Sequence, residues 1–421
     1  MLVELEPWGP GDRHLLDRAN TPEMTRYLGG PETDEQLADR QERYLRGWRE
    51  GTSWMFRIVV DGEPAGGIGW WPVEHDGVPA YETGWNTMPE FQGRGVGREA
   101  LRQVVRRVAA LGDRELLVAY PGVDNPGSNA LCRSAGFEHV GGDTMPWRGG
   151  TITFNTWVLD LSPLDLAGRE PDLDERFDGG LDPATWWPHY TPHWSSRERS
   201  AARWTTDERG LELRIDADTE PWAPEWDGDV RVSHVQTGKH SGAVGTATGQ
   251  HRFRDGLVVR EAQSDQRLHL VHHGVIEVRM AAIRHPAAMV ACWPIGYEER
   301  PDDCGEICIA EIFGSELDDG GGLVGVGVKP QRDPRLHADF EKVRVDGDLT
   351  EAHDYAVEWE PHRLRFFIDG RWVKTVVQSI DYPVQLMLDV YELPSASAPR
   401  DTSQHPLRFR VERVRTFPPL P

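Results

Sequence analysis

The pattern of hydrophobic and polar residues changes along the chain. In residues 34–48 and 97–110, apolar side chains recur every three or four positions, as on one face of an α-helix. After about residue 175 they fall into short runs separated by Gly, Pro and Asp, as in β-strands joined by turns. The change predicts an α/β domain followed by an all-β sandwich domain.

A polar segment joins the two patterns. The sequence LSPLDLAGREPDLDERFDGG, which begins at Leu161, contains two prolines and many acidic residues, a composition typical of a linker. We therefore predict a first domain over residues 1–162, a linker over residues 163–175 and a second domain over residues 176–421. The length of 421 residues agrees with two domains, because a single core rarely serves more than about 300 residues.

Charge and composition narrow the range of partners. The formal net charge of −23 disfavours nucleic acids and anionic membranes, which bind basic surfaces, and favours a cationic small molecule such as an amine. No apolar run approaches the roughly 18 residues of a membrane helix, and the first residues lack a secretory-signal pattern, so we expect a cytoplasmic protein. The four cysteines are predicted to be free thiols, and His251, His272 and His273 form no recognisable metal motif.

A glycine-rich stretch in the first domain has the features of a phosphate-binding loop. A predicted strand over residues 81–88 ends at Pro89, and an amphipathic helix begins after the sequence QGRGVG at residues 92–97. Alternating glycines let the backbone approach a ligand, and the free N–H groups at a helix start can hold a pyrophosphate. The GxGxG spacing differs from the GxGxxG of dinucleotide-binding folds.

This stretch resembles the acetyl-CoA loop of the GNAT superfamily of N-acetyltransferases, in which the pattern is Q/R-x-x-G-x-G/A. A second segment, NPGSNALCRSAGF at residues 125–137, is similar to the family's segment after the fifth strand, where Asn and Ser approach the coenzyme. The resemblance implies an acetyl-CoA-dependent transferase acting on a small-molecule amine. The residues expected at the coenzyme are Thr87, Met88, Gln92, Gly93, Arg94, Gly95, Val96, Gly97, Asn125 and Ser128.

The catalytic groups of the transferase are less well defined by the sequence. Glu82, on the strand before the loop, is a candidate base for the ammonium proton, and a solvated strand residue is the alternative. The resemblance implies a tyrosine acid four residues before the Gly of the G-F pair, where this chain has Cys132. A thiol, with a free pKa of about 8.5, can act as a weak acid. A small core residue is the other interpretation of Cys132.

The second domain combines short strands with many tryptophans. Two hairpins are predicted, one at EPHRL (360–364) and one at Asp369 and Gly370. Tryptophan faces beside carboxylates suit sugar rings, which offer C–H patches for stacking and hydroxyls for hydrogen bonds. We expect Trp222, Trp226 and Trp293 to line a carbohydrate groove, although core packing is the default role of any single tryptophan.

The stretch GEICIAEIFG contains two acids in an apolar run. On an unbroken strand Glu306 and Glu311 would point to opposite faces, but one bulge would bring them to the same face. Together with FDGGLDPATW, HGVIEVRM and HDYAVEWEPHRLRFFIDGRWVKT, the stretch resembles glycoside hydrolase family 16, a concanavalin A-like jelly roll that cleaves β-linked glucans and galactans with retention. The family pattern E-x-D-x-x-E implies that Glu306 is the nucleophile and Glu311 the acid/base, with Cys308 at the position of the middle Asp.

These resemblances predict a bifunctional enzyme with acetyl-CoA as its cofactor and an amine and a carbohydrate as its partners. An amino sugar is a candidate substrate for both domains. Because a neutral thiol at Cys308 cannot tune the two glutamates as a carboxylate would, three alternatives remain: a sandwich that only binds carbohydrate, a non-catalytic sensor of acetyl-CoA and sugar, and structural glutamates. A cysteine nucleophile is a further, remote option.

Overall fold

The computed structural model describes residues 1–148 and 150–420. The chain divides between Pro163 and Leu164 into two compact units. The N-terminal unit is an α/β fold and the C-terminal unit is a β-sandwich, so the predicted fold class of each is confirmed. No helix among the described residues is long and apolar enough to cross a membrane.

The N-terminal unit is built on a mixed sheet with strand order β1-β2-β3-β4-β5-β7-β6. Its strands are β1 Val3–Pro7, β2 Trp54–Val60, β3 Glu63–His75, β4 Val78–Thr87, β5 Leu116–Ala119, β6 Glu138–Trp147 and β7 Gly150–Asp160. Its α-helices are α1 Arg13–Ala19, α2 Pro22–Thr25, α3 Asp34–Glu50, α4 Val96–Leu111 and α5 Pro126–Ser134. The two predicted helices correspond to α3 and α4.

Strands β4 and β5 separate in the middle of this sheet. They are parallel neighbours, and their pairing extends only over residues 80–82 of β4 and residues 116–118 of β5. Beyond Glu82, β4 continues to Thr87 while β5 ends at Ala119. The sheet therefore opens into a wedge between the two strands, on the side where α4 and α5 begin.

Helix α4 is fixed by an apolar face and by glycines at both ends. Gly95 precedes its first residue and Gly112 follows its last, and both have left-handed backbone angles that favour glycine. The buried residues of the helix recur at helical spacing and are Val96, Ala100, Leu101, Val104, Val105 and Val108. The start of the helix is therefore held in place while its backbone N–H groups remain at the surface of the unit.

The C-terminal unit contains two large sheets. Its strands are β8 Leu173–Glu175, β9 Arg203–Asp207, β10 Gly210–Ile215, β11 Arg231–Gln236, β12 Gly238–Lys239, β13 Gln266–Arg267, β14 Leu270–Val271, β15 Gly274–Met280, β16 Ala288–Cys292, β17 Ile295–Gly296, β18 Glu306–Phe313, β19 Leu317–Asp318, β20 Gly321–Lys329, β21 Asp339–Asp346, β22 His353–Trp359, β23 Leu364–Ile368, β24 Arg371–Val376, β25 Val384–Gln385, β26 Met387–Glu392 and β27 Leu407–Phe417. Short helices α6 Arg197–Ser200 and α7 Pro224–Asp227 lie in its loops.

One sheet has the order β24-β23-β22-β15-β27-β10-β9, and the other has the order β11-β26-β16-β18-β17-β25-β14 with β20 and β21 beside β18. Side chains from both sheets form the main core, among them Val278 and Val357 from the first and Ile307 and Ile309 from the second. Because Ile307 and Ile309 point into this core, Glu306 and Cys308 belong to the other face of β18.

The segment predicted as a linker is part of the C-terminal unit from Leu164 onward. The Leu164 N–H donates to the Gly370 carbonyl at 2.9 Å. Strand β8 pairs with β27. The hairpin predicted at Asp369 and Gly370 is confirmed between β23 and β24, and both residues have the positive φ angles of a tight hairpin turn.

Candidate active sites

Strand β18 contains a register shift of the kind needed to bring Glu306 and Glu311 to the same face of the sheet. Against β20, Cys308 lies opposite Gly327 and Glu311 lies opposite Gly325. Three residues of β18 therefore span two of β20, which is the signature of a β-bulge. The extra residue returns Glu311 to the face that carries Glu306, as the sequence pattern predicted.

A lysine on the neighbouring strand bridges the two glutamates. Lys329 Nζ lies 3.1 Å from Glu306 Oε1 and 2.7 Å from Glu311 Oε2. These two oxygens are therefore no more than about 5.8 Å apart, the sum of 3.1 Å and 2.7 Å. Gln331 donates to the other oxygen of Glu306 at 2.5 Å. The two carboxylates thus converge on one point of the sheet.

Burial and the Lys329 ammonium have opposite effects on the pKa of Glu306. Burial raises the pKa of Glu306, and the charge and hydrogen bond of Lys329 only partly offset it. Burial lowers the pKa of Lys329, but the negative charges of Glu306 and its neighbours outweigh this and raise the pKa overall. Lys329 is therefore a stable cation between two acids.

Cys308 occupies the position at which the family pattern has a carboxylate, but its thiol cannot supply the negative charge of a carboxylate. Its side chain is fully buried, and the Sγ–H donates to the Gly325 carbonyl at 3.6 Å. Burial raises the pKa of the Cys308 thiol well above its ordinary value. The thiol is therefore neutral, which removes the physical basis for a cysteine nucleophile.

A buried polar row continues across the same face of the sheet. Ala291 pairs with Glu311 on one side and with Asp389 on the other, so the two acids lie in one row. Asp389 Oδ2 accepts hydrogen bonds from Trp293 Nε1 at 2.6 Å and from His234 Nδ1 at 3.0 Å. Burial raises the pKa of Asp389, and its hydrogen bonds partly compensate. This network fixes the plane of Trp293 beside the glutamates.

The three predicted groove tryptophans have different environments. Trp293 lies on the face of the glutamates, as described above. Trp222 is fully buried and packs on Tyr190 and Phe253, with ring centroids 4.7 Å and 5.8 Å away. Trp226 is only partly buried and packs at the edge of the same aromatic cluster. Trp222 and Trp293 are thus both buried, at 1% and 5% exposed, and of the three only Trp226 is partly exposed.

Lys329 and Asp389 are among the site residues that the sequence analysis missed. Lys329 ends the run GLVGVGVK, in which it alone breaks an otherwise apolar and glycine pattern. Asp389 is the one acid inside the strand sequence LMLDVY. Each is a polar residue in a buried strand, the same signal that identified Glu306.

In the N-terminal unit, the glycine-rich loop lies directly before α4. Gly93 and Gly95 have φ angles of +68° and +81°, and a Cβ atom at either position would meet no atom within 4 Å. Gln92 closes the loop by donating from Nε2 to the Thr87 carbonyl at 2.8 Å. The loop is therefore exposed, is unobstructed at both glycines and leads into the first turn of the helix at Val96.

The other predicted coenzyme residues are divided between structural and accessible positions. The side chains of Met88 and Val96 are buried, so these residues can offer a ligand only their backbone. Gly97 lies in the first turn of α4, and the guanidinium of Arg94 stacks on a neighbouring phenylalanine. Asn125 caps α5 by accepting from the Ser128 N–H at 3.1 Å, which places both residues at that helix start.

The candidate acid and base of the transferase differ in accessibility. Glu82 Oε2 accepts from Trp71 Nε1 at 3.1 Å, and burial raises the pKa of Glu82. Cys132 is fully buried, and burial raises the pKa of its thiol to about 12. Glu82 is thus suited to accept a proton, whereas the environment of Cys132 is that of a core residue.

A cavity of about 580 Å³ lies beside β4 in this unit. Its lining comes from the first three helices, from β2, β3 and β4, and from the end of β6. The aromatic residues in the lining are Tyr44, Trp54, Trp70, Trp71, Trp85 and Trp147. Trp71 belongs to this lining and donates to Glu82, so the cavity reaches a direct neighbour of the candidate base.

The histidine pair and the cysteines were expected to hold no metal and no disulfide. All four cysteines are free and buried. The side chains of His272, His273 and Asp381 converge, with ligand atoms within 4.8 Å of one another. The group lies at a partly exposed loop, and His272 Nε2 already lies 3.3 Å from Asp381 Oδ1.

Two family models match the chain. Residues 3–138 match the acetyltransferase (GNAT) domain, and residues 260–398 match the glycosyl hydrolases of family 16. No curated protein sequence matches. The endo-β-galactosidase from Clostridium perfringens that releases GlcNAcα1-4Gal is 26% identical with a TM-score of 0.53, and the match covers 61% of this chain and 64% of that chain.

Two further structures are similar to one unit each. The ribosomal L7/L12 α-N-protein acetyltransferase RimL, in complex with coenzyme A, is 21% identical with a TM-score of 0.32 and covers 38% of this chain and 93% of its own. The laminarinase from Flavobacterium sp. UMI-01 is 16% identical with a TM-score of 0.39 and covers 59% of this chain and all of its own. The chain thus carries a GNAT acetyltransferase domain in its N-terminal unit and a glycosyl hydrolase family 16 domain with a jelly-roll fold in its C-terminal unit.

Proposed function

We propose that the protein combines a retaining β-glycosidase site with an acetyl-CoA-dependent N-acetyltransferase site. The observation that carries the first half is the convergence of Glu306 and Glu311 on Lys329. Their nearest oxygens are no more than about 5.8 Å apart by the two lysine distances. Retaining glycosidases hold their carboxyls about 5–5.5 Å apart, whereas inverting enzymes need about 6.5–9.5 Å to admit a water molecule.

The mechanism assigns one role to each glutamate. Glu306 attacks the anomeric carbon, and the bond to the leaving oxygen breaks as that oxygen takes a proton from Glu311. In the second half, Glu311 takes a proton from water, whose oxygen attacks the anomeric carbon and frees Glu306. Trp293, held by Asp389 and only 5% exposed, would support the floor of the sugar-binding surface beside the cleaved bond.

The similarity to an endo-β-galactosidase makes a β-galactoside the first glycan to test. The intact protein would be incubated with β-linked galacto-oligosaccharides, and the anomer of the new reducing end followed by proton NMR. We expect the β-anomer to form first. Glu306→Gln is expected to lower the rate at least about a hundredfold, while Glu316→Gln, a partly buried glutamate paired with Lys342, serves as the matched control. First formation of the α-anomer would contradict the proposed mechanism.

A glycan-binding site without hydrolysis is the second candidate. An ammonium ion between two carboxyls favours the ionised form of both, yet the leaving oxygen needs a protonated carboxyl. The neutral Cys308 supplies no compensating negative charge. If galacto-oligosaccharides bind with equal affinity to the wild type and to Glu306→Gln but neither protein cleaves them, this candidate replaces the glycosidase.

The second half of the proposal is acetyl transfer to an amine. Gly93 and Gly95 form the cradle for the coenzyme pyrophosphate, and the wedge between β4 and β5 receives the pantetheine arm. The amine would approach from the cavity beside β4. Glu82 would take the ammonium proton, and nucleophilic nitrogen would then displace the thiolate from the acetyl group. An amino sugar remains a candidate acceptor, since it would link the two domains chemically.

Calorimetry and a thiol-release assay test this half on the intact protein. Acetyl-CoA should bind, and amines should release free CoA in a reaction that Glu82→Gln slows at least about a hundredfold. Glu74→Gln is the matched control, because Glu74 lies exposed on the adjacent strand β3. Absence of acetyl-CoA binding would exclude the transferase, and equal activity of Glu82→Gln would remove Glu82 from the mechanism.

A further inference from the structure

Positively charged side chains predominate in the lining of the N-terminal cavity. Three arginines, Arg40, Arg43 and Arg148, line it, and Glu32 is the one carboxylate among the described residues of the lining. The chain as a whole carries −23, which favoured a cationic ligand at the level of composition. A ligand inside a cavity experiences the nearby charges far more strongly than the distant ones, so the arginines decide the local field.

Glu32 is already occupied by two of these arginines. Its Oε2 accepts from Arg40 Nη2 at 2.5 Å, and its Oε1 accepts from Arg148 Nη2 at 2.9 Å. The Glu32 side chain is only 10% exposed, whereas those of Arg40 and Arg148 are 23% and 20% exposed. Glu32 therefore holds the two guanidinium groups in place, Arg148 also donates from Nη1 to the Gly30 carbonyl at 2.9 Å, and both arginine side chains are more exposed than the carboxylate between them.

The arginines and the neighbour of the candidate base come from different elements of the lining. Arg40 comes from α3 and Arg148 follows the end of β6. Trp71 comes from β3, its ring lies over Gly84 of β4, and its Nε1 donates to Glu82 at 3.1 Å. A flat aromatic wall of this kind suits a ring-shaped ligand.

We propose that the acceptor is a primary amine joined through a ring-shaped body to an anionic group, a carboxylate or a phosphate, at its far end. The amine lies at Glu82, the ring lies against Trp71, and the anion is bound by Arg40 and Arg148. Guanidinium groups bind both anions through paired hydrogen bonds. The inference rests on the proposed acetyltransferase function and names the substrate class of that site.

Matched pairs of amines test the anionic end on the intact protein. One pair is 4-(aminomethyl)benzoate and 4-methylbenzylamine, and the other is glucosamine 6-phosphate and glucosamine. Within each pair the amine is retained and the far-end anion is present or absent. In the thiol-release assay we expect kcat/KM to be at least about tenfold higher for the anionic member of at least one pair, with most of the difference in KM.

Arginine variants show whether the named residues cause this preference. Arg148→Gln and Arg40→Gln should each reduce it about tenfold, mainly by raising KM for the anionic member. Arg49→Gln is the matched control, because Arg49 lies on the same helix as Arg40 but is 61% exposed and paired with Glu42. It should leave the preference unchanged.

Two failures are distinguishable. If the neutral member of each pair reacts as well as its anionic partner, or if the preference survives both arginine variants, the inference is wrong while the transferase remains. If acetyl-CoA does not bind in calorimetry, the proposed function is wrong. If acetyl-CoA does not bind, or if no amine is acetylated, the inference is tested by measuring the binding of the four amines by calorimetry. Equal affinity of the anionic and neutral members of both pairs would then overturn it.

Discussion

Lys329 Nζ lies 2.7 Å from Glu311 Oε2, and the same nitrogen lies within 3.1 Å of Glu306. The contact joins β20 to the residue that follows the bulge of β18. It places a buried cation between two acids whose protonation states must differ for glycoside cleavage. The lysine therefore controls how far this site can act as a glycosidase at neutral pH.

Removing Lys329 should move the pH profile of glycoside cleavage upward. Burial raises the pKa of Glu306, and Lys329 opposes this rise. In Lys329→Met the opposition is lost, so Glu306 needs a higher pH to become the ionised nucleophile. We expect the low-pH limb of kcat/KM to shift upward by about 1–3 pH units, the usual effect of a neighbouring opposite charge. The measurement is hydrolysis of a galacto-oligosaccharide between pH 4 and pH 9.

Lys342→Met is the matched control for this shift. Lys342 also forms an ion pair from a strand of the same sheet, with Glu316 at 2.6 Å, but that pair is separate from the two bridged glutamates. Its variant should reproduce the wild-type profile. A low-pH limb that stays in place in Lys329→Met would show that the lysine does not influence the nucleophile.

Introducing the family carboxylate should increase hydrolysis. In Cys308→Asp a third acid would face Lys329, share its charge, and favour the protonated form of its neighbours. We expect kcat to rise about tenfold at pH 7, which corresponds to one pKa unit in the acid. Cys308→Ser, of similar size but uncharged, should remain at the wild-type rate. Equal rates for the aspartate and serine variants would contradict the argument.

The sequence pattern predicts the parts of this site that depend on one strand, and misses those that depend on pairing. The bulge between Cys308 and Glu311 is predictable because two acids in an alternating apolar run require it. The register that places Lys329 opposite Glu306 is set by long-range packing of β18 on β20. Burial at Cys132 and Trp222 likewise depends on tertiary contacts, which explains why a chemical role was considered for both.

Glu298 should make the stability of the protein depend on pH. Burial raises its pKa from 4.5 to about 8, and its Oε1 accepts the His251 N–H at 2.5 Å. A raised native pKa means that the unfolded state loses this proton first, so the free energy of unfolding falls as pH rises from 4.5 to about 8. Glu298→Gln keeps the hydrogen-bond acceptor and removes the titration.

Chemical denaturation at pH 5 and pH 9 tests this linkage. The loss of stability between the two pH values should be smaller in Glu298→Gln than in the wild type. Glu299→Gln is the adjacent control, since Glu299 is 52% exposed and paired with Arg267, and it should follow the wild type. An identical loss in all three proteins would show that Glu298 does not titrate in this range.

The coenzyme cradle can be tested with two glycines at opposite ends of one helix. Gly95 and Gly112 flank α4 with φ angles of +81° and +64°, and a Cβ atom at either position would meet nothing within 4 Å. Alanine should therefore destabilise the fold similarly at both positions, by about 1–2 kcal/mol for a left-handed non-glycine residue. Only the Cβ at position 95 would stand among the N–H groups proposed to hold the pyrophosphate. Gly95→Ala should consequently weaken acetyl-CoA binding at least about tenfold in calorimetry, while Gly112→Ala should retain wild-type affinity. Equal affinities in the two variants would place the coenzyme elsewhere, because they share every other effect of the substitution.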